Sequence, residues 1–252
     1  MKPIRKPDGP TPGLVDYLRC AGEQATYGGF RNHQGGDAYR KLVSALKDIQ
    51  HGLCGYCEID ITEQDKQVEH VIPQSDPEHG KGRVLDQKNM IVCCKGGTLK
   101  TRDAAGRRQR PPRNNRSCGE AKGNRVDPRC IDPRDLPALP PLMRVNYETG
   151  QISADAEACK DASIDVGRVE EIIRILGLNV DRLKIARQKH FLALKDNWDQ
   201  YAANPQIMQE AARRELLPEE GSHRLKKFFS TNRSYFGPVA EEVLAEAPQE
   251  WI

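Results

Sequence analysis

Cys54-Gly55-Tyr56-Cys57, Val68-Glu69-His70-Val71-Ile72-Pro73-Gln74-Ser75 and Asn89-Met90-Ile91-Val92-Cys93-Cys94 decide how this chain is read. The first stretch is a Cys-x-x-Cys pair, the spacing of a zinc knuckle, although thiol-redox motifs share it. Further thiols follow at Cys93-Cys94 and at Cys118. Four sulfurs in a tetrahedron close a structural zinc site and tie distant chain segments together. Cys94 ends the apolar run Met90-Ile91-Val92, and strand alternation points Cys93 the other way. The expected zinc ligands are therefore Cys54, Cys57, Cys94 and Cys118. Cys20, Cys130 and Cys159 have no partner at ligand spacing and are expected to be structural or free.

Between the cysteine pairs, Glu69 stands directly before His70 on an expected strand that runs into a loop. That order can place both groups around one metal-bound phosphate. Glu69 offers a hard oxygen to Mg²⁺ or a similar ion. An imidazole uncharged near pH 7 can take a proton from water. Asn89 comes nineteen residues after His70, where its amide could hold the imidazole in the productive tautomer. After Cys118, Gly119-Glu120-Ala121-Lys122-Gly123-Asn124 reads as a short helical turn, and Glu120 or Asn124 could complete a metal site.

Outward from this centre, residues 1–36 carry breaks at Pro7-Asp8-Gly9-Pro10 and Gly28-Gly29 and read as an irregular lead-in. Residues 37–50 read as an amphipathic helix through Leu42, Val43, Leu46 and Ile49, stopping at His51-Gly52. The domain expected over 37–135 contains a basic insertion at 95–117. A mainly helical region is expected over 136–252. The proline-dense stretch 125–150 reads as a connector, with a hairpin from Leu142 to Ile152 turning near Thr149-Gly150. Two helices are expected in 166–202, broken at Gly177, the second capped by Asn179. A third is expected at 205–217. From His223 to Tyr235 basic and aromatic residues interleave. They could grip a nucleic acid or a partner, or Phe228 and Phe229 could be core with the charges forming a wet face.

The 252 residues suit one mid-sized domain or two small ones. With 37% hydrophobic and 30% charged residues, the core should be modest and split. A net charge of +3, from 39 basic and 36 acidic residues, does not announce nucleic-acid binding. Its distribution is more telling: Lys95 to Arg116 holds eight Lys or Arg and one acid, Asp103. Such a cluster can neutralise phosphates, or it can simply keep a loop solvated. No apolar run approaches the roughly 20 residues of a membrane span. Met1-Lys2-Pro3-Ile4-Arg5 lacks the apolar stretch of a secretory signal, so a cytoplasmic protein with reduced thiols is expected.

Cys-x-x-Cys, Glu-His-x-x-Pro-x-Ser, Asn-x-x-x-x-Cys and Cys-x-x-x-Lys-Gly-Asn, in that order, resemble the HNH endonuclease superfamily. The resemblance implies an α+β fold with a zinc-stapled ββα-metal core, in which two strands carry the acid–His pair and the Asn and a helix carries the last metal ligand. It implies His70 as general base, Asn89 as its orienting partner and Glu69 as ligand of a catalytic Mg²⁺ or Mn²⁺. Cys54, Cys57, Cys94 and Cys118 would hold the structural zinc. The substrate would be nucleic acid, DNA favoured over RNA. More narrowly, Ile131-Asp132-Pro133, the turn Glu148-Thr149-Gly150-Gln151-Ile152, and Leu176-Gly177-Leu178-Asn179 leading to Leu183 and Arg187 resemble the PtuB-type HNH proteins of Septu and retron anti-phage systems. That likeness implies a separate PtuA-type ABC/SMC ATPase partner. Two positions depart from the superfamily pattern: Glu69 stands where Asp is common, and Gly119 stands where His or Asn follows the last zinc cysteine. The last catalytic metal ligand therefore falls to Glu120 or Asn124. A zinc-stapled binding or adaptor module without catalysis is the competing expectation, and a thiol-redox protein built on Cys54 and Cys57 the more distant one.

Overall fold

The computed structural model describes residues 1–62, 65–98, 106, 109–125 and 131–252. Cys130 and four residues of the basic cluster (Lys100, Arg102, Arg107, Arg108) lie outside them. In chain order the elements are α1 (Pro12–Ala21), α2 (Tyr27–Asn32), α3 (Asp37–Ile49), β1 (Gln67–His70), β2 (Met90–Cys93), α4 (Cys118–Lys122), β3 (Met143–Val145) and β4 (Ile152–Ala154). Then follow α5 (Ala156–Asp161), α6 (Val166–Ile175), α7 (Asp181–Trp198), α8 (Pro205–Leu216), α9 (Phe229–Phe236), α10 (Pro238–Glu246) and α11 (Pro248–Trp251). Helices combined with two small antiparallel sheets make the fold α+β.

The site is built on the first sheet. β1 and β2 pair antiparallel, Glu69 opposite Ile91 and His70 opposite Met90. All of β2 is buried, as its uninterrupted apolar run requires. The apolar stripe Leu42, Val43 and Leu46 turns α3 onto β2. Gln50, just past the helix, then acts as a substitute strand: its amide accepts from Val92 N at 2.7 Å and donates to Val92 O at 2.7 Å. The backbone reverses through His51 and Gly52, both at positive φ (54° and 79°), which is the stop that Gly52 predicts.

The lead-in is not irregular. α1 and α2 bury Leu14, Tyr17 and Phe30 against α3. Of the glycines that read as breaks, Gly29 is a packing residue, since a Cβ there would lie 2.2 Å from the Tyr17 hydroxyl; Gly13 is another, where a Cβ would lie 2.8 Å from Ala38 Cβ. Helices of ten and six residues carry too few turns for periodicity to outweigh Gly and Pro, and tertiary contact decides instead.

The expected hairpin is β3–β4, and Arg187 donates to the Gly150 carbonyl at 2.8 Å to close its turn on α7. α6 and α7 form where apolar spacing placed them, but Asn179 does not cap α7. Its amide accepts from Ile152 N and donates to Ile152 O, both at 2.8 Å, so it extends the β3–β4 sheet, and Val180 stands at the cap without a side-chain bond. One apolar cluster runs from Leu14 through β2 to Leu183. A second gathers α8–α11 around Phe229, Leu244 and Trp251. Phe228 and Phe229 are 5% and 1% exposed, so they are core rather than grip. The residue after the knuckle joins the two clusters. Buried Glu58 accepts from Ser230 N (2.8 Å) and Ser230 Oγ (2.6 Å), and Phe228 N donates to Glu58 O. Among the described residues no helix is long and apolar enough to cross a membrane.

Candidate active site and metal centre

Three separate pieces of chain bring four thiols together. The turn after α3 supplies Cys54 and Cys57, the end of β2 supplies Cys94, and the start of α4 supplies Cys118. Their sulfurs all lie within 4.8 Å of one another, fully buried. Cys54–Cys118, Cys57–Cys94 and Cys94–Cys118 are 3.8, 3.7 and 3.6 Å apart. Tetrahedral zinc with bonds of about 2.3 Å spaces its sulfurs about 3.8 Å from each other. A disulfide would need about 2.05 Å. The donor set and its spacing thus fit zinc and do not fit a bonded cystine. Burial alone would push the Cys54 thiol up, but hydrogen bonds from Cys118, Cys57 and Cys94 outweigh it and hold Cys54 well below the ordinary thiol range. Cys118 takes φ +56°, a conformation that costs a β-carbon-bearing residue about 1 kcal/mol or more. Its N–H is fixed on Leu176 O at 2.7 Å. Cys93 points away and receives Gln67 Nε2 at 3.7 Å. Cys20 is exposed and Cys159 buried, neither in the cluster.

His70 ends β1. Its Nε2 is 2.9 Å from the carbonyl of Val84, an acceptor only, so Nε2 carries the hydrogen. Nδ1 is then the lone-pair nitrogen, and Gln74 Nε2 donates to it at 3.1 Å. Burial pushes the imidazole pKa down, so the ring is neutral near pH 7. Tyr27 of α2 packs edge-on against it, centroids 4.8 Å apart. Tyr27, Gln74 and Val84 have no role in the sequence-based expectation. Gln74 stood inside the motif. The other two act through an unforeseen helix and a backbone oxygen, which carry no side-chain signal.

Among the described residues no hydrogen bond joins Asn89 to the imidazole. Its amide accepts from Ile72 N (2.8 Å) and donates to Ile72 O (3.0 Å) and Arg83 O (3.3 Å). The correction has a physical reason: opposite His70 on β2 is Met90, which leaves Asn89 level with the loop. It braces the residues after His70 and the segment whose next carbonyl, Val84, orients the ring. Asn89→Ala should strip these groups of partners at about 1–3 kcal/mol for each buried one. A fall in stability of roughly 3 kcal/mol is expected by urea unfolding, with Asn89→Asp in between because only the acceptor survives.

Glu69, half-buried, is raised in pKa by burial, partly offset by Lys122 and reinforced by the charge of Glu120. Lys122 of α4 donates to Glu69 Oε1 at 2.8 Å and to His70 O at 3.1 Å. Lys122 was legible as part of the motif but was not assigned a role. A Cβ on Gly119 would lie 2.5 Å from Glu69 Oε2. The two departures are therefore one adjustment: the longer carboxylate fills the space that a side chain at 119 would take. Glu120 is the neighbouring acid whose charge reaches Glu69, and Arg110 lies 3.7 Å from Glu120. Asn124 is exposed, with no contact to Glu69 among the described residues. Glu69 is the carboxylate that could hold a hard divalent ion, with Glu120 the neighbouring acid; Lys122 already donates to one of the Glu69 oxygens. Gly119→Ala should displace the Glu69 carboxylate from Lys122, so the melting temperature should fall despite the gain of about 1 kcal/mol or less in helix preference. It should also lower divalent-ion affinity, read by titration calorimetry.

No family model matches the chain. A protein of Escherichia coli named "Retron Ec83 putative HNH endonuclease" is 30% identical over 197 residues, which cover 70% of this chain and 74% of that protein. This likeness, found in a chain that gathers four thiols beside the small sheet carrying the acid–His pair, places it plainly: the chain belongs to the HNH endonuclease family.

Proposed function

We propose that this protein is a metal-dependent endonuclease that hydrolyses phosphodiester bonds, built on a ββα-metal core of β1, β2 and α4 and stapled by zinc through Cys54, Cys57, Cys94 and Cys118. The observation that carries the reading is the His70 ring. It is neutral, its Nε2–H is spent on Val84 O, and its basic Nδ1 faces only the Gln74 amide among the described residues, with His70 one residue along β1 from Glu69. Nδ1 takes the proton of the attacking water once the Gln74 amide gives way or hands its place to that water. Tyr27 excludes solvent from one face of the ring, and Lys122 fixes the strand end through the His70 carbonyl. Glu69 and Glu120 would hold Mg²⁺ or Mn²⁺, which when bound offsets the charge that builds on the phosphate and leaving oxygen. The zinc would be closed and structural.

The narrower reading is a cytoplasmic nuclease effector of a bacterial anti-phage complex of the PtuB type, acting on DNA with a separate PtuA-type ATPase. What supports it is the retron named in the Escherichia coli relative and the motifs around Ile131, Thr149 and Leu178. This chain carries no Gly-x-x-x-x-Gly-Lys-Ser/Thr segment, so the ATPase would be another polypeptide. A second reading, a zinc-stapled nucleic-acid-binding module without catalysis, draws on the Glu69–Lys122 pair, because an ammonium already balances the would-be metal ligand. Cleavage of plasmid and single-stranded DNA by the parent and by His70→Ala separates the two readings.

A further inference from the structure

Beside the acid–His pair lies a cavity of about 290 Å³ that the chemistry above does not use. It opens next to the end of β1: Val71 and Ile72, directly after His70, form one side, and Lys122 joins it to Glu69. Its floor is apolar, made by Ile172 and Ile175 of α6 and Leu176 just after it, with Ile131 also lining it. Tyr56, from between the zinc-knuckle cysteines, adds an aromatic wall. Its hydroxyl is buried and has no hydrogen-bond partner among the described residues.

The rim is cationic. Arg83 and Arg125 are exposed and have no ion-pair partner among the described residues, and Arg168 and Lys122 stand with them. The two acids on the rim are already matched, Asp132 by Arg134 and Asp135 by Lys6. An apolar, aromatic-walled slot with arginines at the mouth suits a flat heteroaromatic ring attached to a phosphate. At the small end of the roughly 300–1,000 Å³ of ligand pockets, it has room for one such unit.

We propose that this cavity receives one nucleotide of the substrate strand, its base extruded from the stack against Tyr56 and α6 and its phosphate held by Arg83 and Arg125, next to the bond that His70 addresses. This rests on the nuclease reading and adds to it a preference for strands whose bases can leave the helix, since a paired and stacked base cannot enter.

The test is binding, with the full chain carrying His70→Ala so that no strand is cut. The probes are a fluorescent 12-nucleotide single-stranded DNA and a strand of equal length and charge whose sugars carry no bases. The base-bearing strand should bind about tenfold tighter, the usual worth of stacking one base. Ile172→Trp, which fills the cavity, should bring the two strands level without weakening the base-less one. Arg125→Ala, exposed and harmless to packing, should weaken both strands equally and reduce the salt slope by about one. If Ile172→Trp lowers the melting temperature, Ile131→Phe fills the same space from the loop side. An unchanged ratio in the filled variants overturns the proposal while leaving a His70-dependent nuclease intact. Absence of binding to either strand overturns it as well. Loss of cleavage in the parent, with the ratio as expected, would instead count against the catalytic reading alone.

Discussion

His70→Ala should lose cleavage of plasmid and single-stranded DNA by at least about 10²-fold, the lower bound for removing a positioned general base. Its zinc content should equal that of the parent, because His70 is not among the four thiol-bearing residues. Stability should fall by about 1–2 kcal/mol, from the lost bond to Val84 O and the lost Tyr27 contact. The distinction matters because a change that merely unfolded the site would also stop cutting. A folded, zinc-loaded and inactive variant assigns the loss to the imidazole. Equal cutting by both proteins would place the chemistry elsewhere, and the proton transfer through Nδ1 would be wrong. If neither protein cuts even when an ATPase of the implied kind is supplied, the binding-module reading takes its place.

How much of this was legible depended on which atoms do the work. The cysteine set was, because ligand chemistry restricts both residue type and strand face: alternation along β2 separates Cys94, which meets Cys57, from Cys93, which meets Gln67. α3, α6 and α7 followed from apolar spacing, whereas α9, α10 and α11 carried no individual expectation. Roles that run through backbone groups were not legible. Asn89, Asn179 and Gln50 each bracket the N–H and C=O of one distant residue, which satisfies the backbone where strand pairing stops. In sequence, such an amide looks the same as a cap or a ring-orienting partner. Val84, which orients His70, contributes a main-chain oxygen that any residue would bring. Tyr27 reached the site only because Gly29 lets α2 close on Tyr17, and a glycine pair in a short helix reads as a break.

Cys118→Ser should cost the protein its zinc and, with it, the cooperative fold of its larger core. The staple joins residues 64 positions apart and places α4, hence Lys122 and Gly119, against β1. A neutral serine hydroxyl is a poor substitute for a thiolate, and three sulfurs leave the tetrahedron open. Structural zinc contributes roughly 10–16 kcal/mol of binding free energy in small zinc domains. A whole domain is stable by only about 5–15 kcal/mol, so losing the ion competes with the entire margin. Cys118 also has the least tolerance for loss, because its positive φ persists only while the cluster and the bond to Leu176 hold it. Cys93→Ser is the matched control: equally buried, one residue from a ligand, but outside the cluster. It should keep one zinc per chain and lose about 1–3 kcal/mol for burying a hydroxyl. Elemental analysis with thermal unfolding distinguishes the pair. If Cys118→Ser and Cys93→Ser retain the same zinc and melt together, the four-thiol site is not the staple. A parent that carries no zinc but a Cys54–Cys57 disulfide would return the knuckle to redox chemistry, which the free state of both thiols opposes.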